Sequence, residues 1–111
     1  MNKKSWWTVG IILAVIVPAI IVLRNPEPAI SKKTAQCIGE NSILYVQLGC
    51  HACEIQENLF GETTQYLTIV DCFFEREKCA EITYTPTWII NNQEYIGVQS
   101  IEKLKELTNC P

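Results

Sequence analysis

The sequence predicts an α/β domain in which a four-stranded mixed sheet is flanked by helices on both faces, preceded by one N-terminal transmembrane helix. An uncharged apolar run near the start of the 111-residue chain indicates the membrane helix. Two short apolar runs then enclose a helical segment in the order strand, helix, strand, which is typical of a parallel βαβ unit. Two further apolar runs separated by a pair of asparagines indicate an antiparallel hairpin, and a last helix follows it.

Residues 6–23 form the uncharged run. As a helix that rises about 1.5 Å per residue they would span roughly 27 Å, enough for a hydrocarbon core. Lys3 and Lys4 precede the run and Arg24 closes it. Since the more positive side stays in the cytoplasm, we predict a single-pass anchor in the cell membrane with a cytoplasmic N-terminus and an extracytoplasmic body. A signal peptide cleaved near residues 17–19 is the alternative, and it also exports the rest of the chain.

The predicted organisation is therefore an anchor or signal helix over residues 1–24, a linker over 25–30 that contains two prolines, and a folded domain over 31–111. From residue 31 onward six basic residues stand against eleven acidic ones, a net charge of −5 (six minus eleven). An acidic body argues against nucleic acid as a partner, because phosphate contacts need a basic face. Six cysteines are many for so small a domain. If they are oxidised, the domain lies outside the cytosol.

The first half of the body contains the predicted βαβ unit. Ser31 is placed to cap a short helix that runs to residue 38, with Gly39 as its C-terminal stop. Residues 43–48 are almost all apolar and form a short strand buried on both faces. Residues 51–60 form an amphipathic helix that ends before a glycine, and residues 66–70 form the next strand. The predicted apolar stripe of the helix comprises Cys53, Ile55, Leu59 and Phe60.

The second half begins with a short charged helix over residues 75–82. Residues 87–90 then form a strand, and the pair Asn91-Asn92 suits a type I′ turn because asparagine tolerates a positive φ. Residues 94–96 form the return strand. The last helix begins at Ser100, and its apolar face consists of Ile101, Leu104 and Leu107.

The sequence Cys50-His51-Ala52-Cys53 lies between the first strand and its helix. Free backbone N–H groups and the helix dipole at a helix N-terminus stabilise an anion, so the pKa of the Cys50 thiol should fall below the free value of about 8.5. This makes Cys50 the predicted nucleophile. Cys53, one turn into the helix, is placed to resolve a mixed disulfide by attacking Cys50. His51, if protonated, would also stabilise a nearby thiolate.

Several motifs together resemble one family, the thioredoxin-like domain associated with bacterial and archaeal homologues of vitamin K epoxide reductase, within the thioredoxin superfamily. They are Gly49-Cys50-His51-Ala52-Cys53, Glu57-Asn58-Leu59-Phe60-Gly61, Val70-Asp71-Cys72, Lys78-Cys79, Thr85-Pro86-Thr87-Trp88-Ile89-Ile90-Asn91 and Tyr95-Ile96-Gly97-Val98-Gln99-Ser100. The resemblance covers roughly residues 44–107. The family usually carries His beside its second cysteine, whereas this chain has Ala52 there and His51 beside the first.

The resemblance implies an extracytoplasmic thiol–disulfide oxidoreductase. With the predicted N-terminal helix it would be anchored in the membrane, and we expect it to need no cofactor or metal. The resemblance implies a cis-proline at Pro86, beside which Thr85 pairs with an incoming peptide in a substrate groove. It also implies protein thiols and disulfides as substrates, and a separate quinone-coupled membrane protein of the vitamin K epoxide reductase type as the partner that reoxidises the chain. Whether the chain acts as an oxidase, a reductase or an isomerase is left open.

The remaining cysteines are assigned on different grounds. The resemblance implies a structural disulfide between Cys72 and Cys79. A second disulfide between Cys37 and Cys110 is a hypothesis from their positions. Cys37 lies at the end of the first predicted helix of the body, and Cys110 lies at the end of the last one.

Three alternatives use the same sulfurs without redox chemistry. The first is a purely structural Cys50–Cys53 disulfide, although so short a loop at a helix start favours exchange. Cys50 and Cys53 could form half of a zinc site with Cys72 and Cys79, although the latter pair is spaced more widely than zinc pairs usually are. An anchored copper or zinc carrier is the corresponding binding module. A metal carrier usually adds Met or His ligands, so a sequence with only one His and one Met argues against this alternative.

Overall fold

A computed structural model of the chain describes residues 3–24 and 30–111. Within them the helices and strands follow the predicted order. They are α1 (Lys3–Arg24), α2 (Lys32–Asn41), β1 (Ile43–Val46), α3 (His51–Phe60), β2 (Ile69–Asp71), β3 (Thr87–Ile90), β4 (Gln93–Ile96) and α4 (Ile101–Thr108). Residues 25–29 of the predicted linker lie outside the described residues.

Helix α1 is the predicted N-terminal apolar helix. Its residues Lys3–Ile21 are long and apolar enough to cross a membrane, and none of them is buried against the rest of the described chain. Pro18 lies inside the helix. A membrane tolerates such a proline because neighbouring groups can satisfy the freed carbonyl. The side of the membrane on which the body lies stays a prediction.

Helix α2 begins where the sequence predicts and ends later. The hydroxyl of Ser31 accepts a hydrogen bond from the backbone N–H of Thr34 at 3.2 Å, which caps the helix. The prediction that Gly39 ends the helix is wrong, because the helix continues to Asn41. A side chain at position 39 would collide with the backbone carbonyl oxygen of Tyr66. This glycine therefore permits close packing instead of ending a helix.

The four strands form one mixed sheet in the order β2-β1-β3-β4, which confirms the predicted sheet. Strand β1 pairs in parallel with β2 and antiparallel with β3, and β3 pairs antiparallel with β4. Asn91 and Asn92 connect the last two strands with φ values of 52° and 63°, as the hairpin prediction requires. Two strands are shorter than predicted: β1 ends at Val46, and β2 begins at Ile69 after a 3-10 helix, Gly61–Tyr66.

The helices of the body pack against one face of the sheet. Leu44 and Trp88 are cross-strand neighbours on that face, and their side chains are fully buried. The core around them contains residues from all three helices: Ala35, Ile38, Cys53, Phe60 and Leu104. Burial of these side chains supplies most of the driving force that holds the helices on the sheet.

The opposite face of the sheet is more open than predicted. The charged segment 75–82 forms only a short 3-10 helix, Arg76–Cys79, in place of the predicted helix. Between this segment and the sheet lies a groove of about 570 Å³, lined in part by Tyr45 and Ile89. A disulfide between Cys72 and Cys79 bounds a loop too short for a regular helix to form across it.

A second disulfide joins Cys37 of α2 to Cys110, which follows α4 in the sequence, with 5.9 Å between their Cα atoms. The hydroxyl of Thr34 also donates a hydrogen bond to the carbonyl of Pro111 at 2.9 Å. These contacts tie the C-terminal end of the chain to the first helix of the body.

Candidate active site at the start of helix α3

One edge of the sheet collects the segments that bear the predicted site. Strands β1 and β2 are parallel, so both end at this edge. Strand β3 is antiparallel to β1 and begins there, and β4 ends there in turn. The connections that follow β1, β2 and β4 and the one that precedes β3 therefore meet around the N-terminus of α3.

Cys50 is the N-cap residue of α3. Its Sγ accepts a hydrogen bond from the backbone N–H of Cys53 at 3.1 Å, in the position that a serine or aspartate oxygen often takes. A disulfide joins the two residues, whose Cα atoms are 5.2 Å apart. Cys50 is half-buried and Cys53 is only 3% exposed. An approaching molecule therefore meets the sulfur of Cys50 first.

The segment before β3 lies directly against this sulfur. The peptide bond between Thr85 and Pro86 is cis. The carbonyl oxygen of Thr85 is 3.5 Å from Cys50 Sγ, and the carbonyl of Pro86 accepts a hydrogen bond from the N–H of Gly97 at 2.8 Å. Pro86 is fully buried and Thr85 is half-buried. The structure thus brings Cys50, Cys53, Thr85 and Pro86 together.

His51 has a different position from these four residues. Its side chain is 87% exposed, and its Nδ1 lies 3.8 Å from a carboxylate oxygen of Glu54. That distance is too long for a hydrogen bond. A stabilising effect of His51 on the Cys50 thiolate stays a prediction.

A cavity of about 150 Å³ next to the two cysteines is lined by three acidic residues, Glu54, Glu57 and Asp71. Burial raises the pKa of Glu57, and the nearby negative charges of Asp71 and Glu54 raise it further. The same charges oppose a thiolate at Cys50, whereas the helix N-terminus favours one. The sequence analysis did not group these carboxylates, because Asp71 is distant along the chain from Glu54 and Glu57.

Asp71 also organises the turn that precedes Cys50. Its Oδ1 accepts hydrogen bonds from the backbone N–H of Leu48 at 3.2 Å and of Phe73 at 2.9 Å. The carboxylate therefore connects the end of β2 to the turn between β1 and α3. An acidic residue at the end of a parallel strand was the signal for this role.

Gln56 is the polar residue of the site region that the sequence prediction missed. Its side chain is 0% exposed, whereas Ile55 and Leu59 of the predicted apolar stripe are 43% and 36% exposed. The buried face of α3 therefore runs through Cys53, Gln56 and Phe60. The predicted stripe is confirmed at Cys53 and Phe60 and is wrong at Ile55 and Leu59. It did not include Gln56, whose buried amide is satisfied by protein partners.

Several large apolar side chains are exposed in the connections at this edge of the sheet. They are Leu48, Phe73, Phe74, Tyr84 and Val98. Phe73 and Phe74 contact each other edge to face, with 5.0 Å between ring centroids. Each of these side chains lies in one of the connections that meet around the N-terminus of α3, and Leu48 also lines the cavity beside the two cysteines.

The other cysteines are committed to their own disulfides. Cys72 and Cys79, which a four-cysteine zinc site would need, are joined to each other. No protein-family model matches the chain.

Replacing Glu57 with Gln should change both the thermal stability of the fold and the pKa of the Cys50 thiol. Because the pKa of Glu57 is raised in the folded chain, its contribution to stability is present below the unfolded pKa and is lost as pH rises through the folded value. We therefore expect a higher melting temperature for E57Q near pH 7, with the difference shrinking below about pH 4. Loss of the charge should also lower the pKa of the Cys50 thiol in the reduced chain.

Thermal melts across this pH range and the pH dependence of the rate of Cys50 alkylation would measure both effects. Glu62→Gln is the matched control, since Glu62 is exposed and does not line the cavity. An E57Q thiol that titrates as in the wild type would contradict the electrostatic argument.

Proposed function

We propose that the chain is a membrane-anchored, extracytoplasmic thiol–disulfide oxidoreductase of the thioredoxin-like class, which exchanges disulfides with protein thiols through Cys50 and Cys53. The observation that supports this most is the asymmetry of the disulfide. Cys50 caps α3 and is accessible, while Cys53 is buried one turn further along. A sulfur at a helix N-terminus is a good leaving group and nucleophile, because its thiolate is stabilised there.

The exchange proceeds in two balanced steps. A substrate thiolate attacks Sγ of Cys50, the Cys50–Cys53 bond breaks, and Cys53 leaves as a thiolate. A second substrate thiolate then attacks the substrate sulfur of the mixed disulfide, and Cys50 leaves as a thiolate. The substrate loses two electrons and gains a disulfide, and the chain gains the same two electrons as a dithiol. The reverse sequence reduces a substrate disulfide.

The surroundings of Cys50 suit a polypeptide substrate. Within residues 3–24 and 30–111, the backbone N–H of Thr85 has no hydrogen-bond partner. An extended peptide could pair with it while presenting its cysteine to Cys50. Leu48, Tyr84 and Val98 are exposed in the adjoining segments and suit the apolar side chains of an incompletely folded protein.

The rest of the chain supports a compartment for this activity, and the family resemblance supports a redox partner. Three disulfides agree with an oxidising compartment, and the charge flanking α1 favours an extracytoplasmic body. The family resemblance supports reoxidation by a separate quinone-coupled membrane protein of the vitamin K epoxide reductase type. An anchor in the same membrane would hold the two proteins close together.

The proposal is tested by equilibrating the detergent-solubilised full chain in glutathione buffers of graded potential and trapping thiols with an alkylating agent. We expect Cys50 and Cys53 to change state reversibly while the other four cysteines stay oxidised. We also expect the oxidised chain to transfer its disulfide to a dithiol peptide, and Cys50→Ser to abolish the transfer. A Cys50–Cys53 disulfide that resists reduction as strongly as the other two would contradict the proposal.

A further inference from the structure

We propose that Gln56 is a positioning residue that holds the Cys50–Cys53 pair against the Thr85-Pro86 segment, and so makes exchange with peptides efficient. This inference rests on the proposed function, because it concerns the alignment of the same site. The hydrogen bonds of Gln56 go to Trp88 and Gln99 and not to the two sulfurs. Gln56 would therefore act on the site through the elements that it joins.

The side-chain amide of Gln56 makes three hydrogen bonds to two other parts of the fold. Its Oε1 accepts from the indole Nε1 of Trp88 at 2.9 Å and from the backbone N–H of Gln99 at 2.7 Å. Its Nε2 donates to the backbone carbonyl of Gln99 at 3.0 Å. The amide therefore joins α3 both to β3 and to the connection that follows β4.

These partners are linked in turn to the segment that faces Cys50. Trp88 follows Pro86 by two residues in the chain. Gly97, two residues before Gln99, donates its N–H to the carbonyl of Pro86 at 2.8 Å. Gln56 is therefore connected through Trp88 and through Gln99 to the same Thr85-Pro86 segment. The carbonyl oxygen of Thr85 in this segment lies 3.5 Å from Cys50 Sγ. Gln56 thus completes a closed set of contacts around the site.

A buried amide at this position requires a reason, because an apolar side chain of the same size would fill the space without desolvating polar atoms. Apolar packing tolerates small shifts of a helix along a sheet, whereas three directional hydrogen bonds to two elements do not. Gln56 is three residues after Cys53, on the same buried face of α3. The bonds therefore fix α3 close to its reactive end.

The test compares a peptide with a small thiol. In the full chain with Gln56→Met, which keeps the volume but removes the hydrogen bonds, we expect exchange with a cysteine-containing peptide to slow by about tenfold or more, since sub-ångström misalignment is costly. Exchange with dithiothreitol needs only access to Cys50 and should change by less than about twofold, because the helix N-terminus is retained. The reduction potential in glutathione buffer should be unchanged.

Thr108→Val serves as a control for general destabilisation. Thr108 is buried in α4, its hydroxyl donates to the carbonyl of Leu104, and it does not line the cavity next to the two cysteines. We expect this variant to retain the wild-type ratio of peptide rate to dithiothreitol rate at a temperature where it is folded. Gln56→Glu is the conservative rescue. In its protonated form the carboxyl offers a donor and an acceptor, so in that form it should recover most of the peptide rate that Q56M loses.

The outcomes separate the two proposals. If the wild type exchanges with the peptide and Q56M has the same rate ratio, the positioning role is overturned while the proposed function stands. If Q56M lowers both rates together, in step with T108V, Gln56 is only a structural residue. If the wild type exchanges with neither thiol, the proposed function fails and this inference fails with it.

Discussion

The full chain with Cys53→Ala is expected to accumulate covalent adducts with its protein substrates through Cys50. Cys50 keeps its place as the N-cap of α3, so its thiolate still attacks a substrate disulfide and releases one substrate thiolate. In the wild type, Cys53 then attacks the mixed disulfide from one turn away. Without Cys53 only external thiols can resolve the adduct, and we expect its lifetime to rise by about a hundredfold or more.

The adducts are measured after acid quenching and alkylation, as bands that appear on non-reducing gels and vanish on reduction. Cys50→Ala combined with Cys53→Ala is the matched control, since it keeps the other two disulfides and lacks the nucleophile. The reciprocal variant Cys50→Ala should form few adducts, because the sulfur of Cys53 is buried. Equal adduct formation by both single variants would contradict the assigned roles of nucleophile and resolving residue.

The arrangement of the sheet and the place of the cysteines could be predicted from local signals. The apolar run before Cys50, the Asn91-Asn92 turn and the cap Ser31 each act within a few residues. Such signals are encoded in short stretches of chain, because caps and tight turns depend on the chemistry of one or two residues. They sufficed to place α3 and its first residue.

Features that depend on distant contacts were not predictable in the same way. Glycine is a common helix stop, so the sequence suggested that Gly39 ends α2. Its actual role is to leave room for the backbone of Tyr66, which lies far along the chain. Glutamine is usually found at the protein surface. The burial of Gln56 is favourable because its amide forms hydrogen bonds to Trp88 and Gln99. A glycine or glutamine gives the same local signal in either situation, so the choice is made by tertiary structure.

The segment between β2 and β3 shows a third limit. Its charged residues suggested a helix over residues 75–82, whereas only Arg76–Cys79 is helical. Helix propensity there competes with closure of the Cys72–Cys79 loop, and a helix of two turns is marginal without an apolar face to bury. The salt bridge between Lys78 and Glu75, at 2.8 Å, is exposed and adds little stability. The open face of the sheet follows from this shortened segment.

Removal of the Cys37–Cys110 disulfide by a double replacement with Ala is expected to cause a large loss of stability, because within residues 3–24 and 30–111 it closes the longest loop of the three disulfides. The bond closes a loop with a sequence separation of 73. In the chain-entropy model a loop of that length restrains the unfolded state by about 4 kcal/mol. A body of roughly eighty residues has a small core and a total stability of about 5 to 15 kcal/mol, so the loss would be a large fraction of it.

The matched control is Cys72→Ala with Cys79→Ala, which opens a loop with a separation of 7 and should cost about 2 kcal/mol. Urea unfolding of the solubilised full chain, followed by tryptophan fluorescence from buried Trp88 against the exposed Trp6 and Trp7, measures both losses. If the two variants lose equal stability, the loop-length argument is wrong. Below its unfolding transition the variant without Cys37–Cys110 should still exchange its Cys50–Cys53 disulfide with glutathione. The Cys37–Cys110 disulfide lies outside the active site and stabilises only the fold that carries the site.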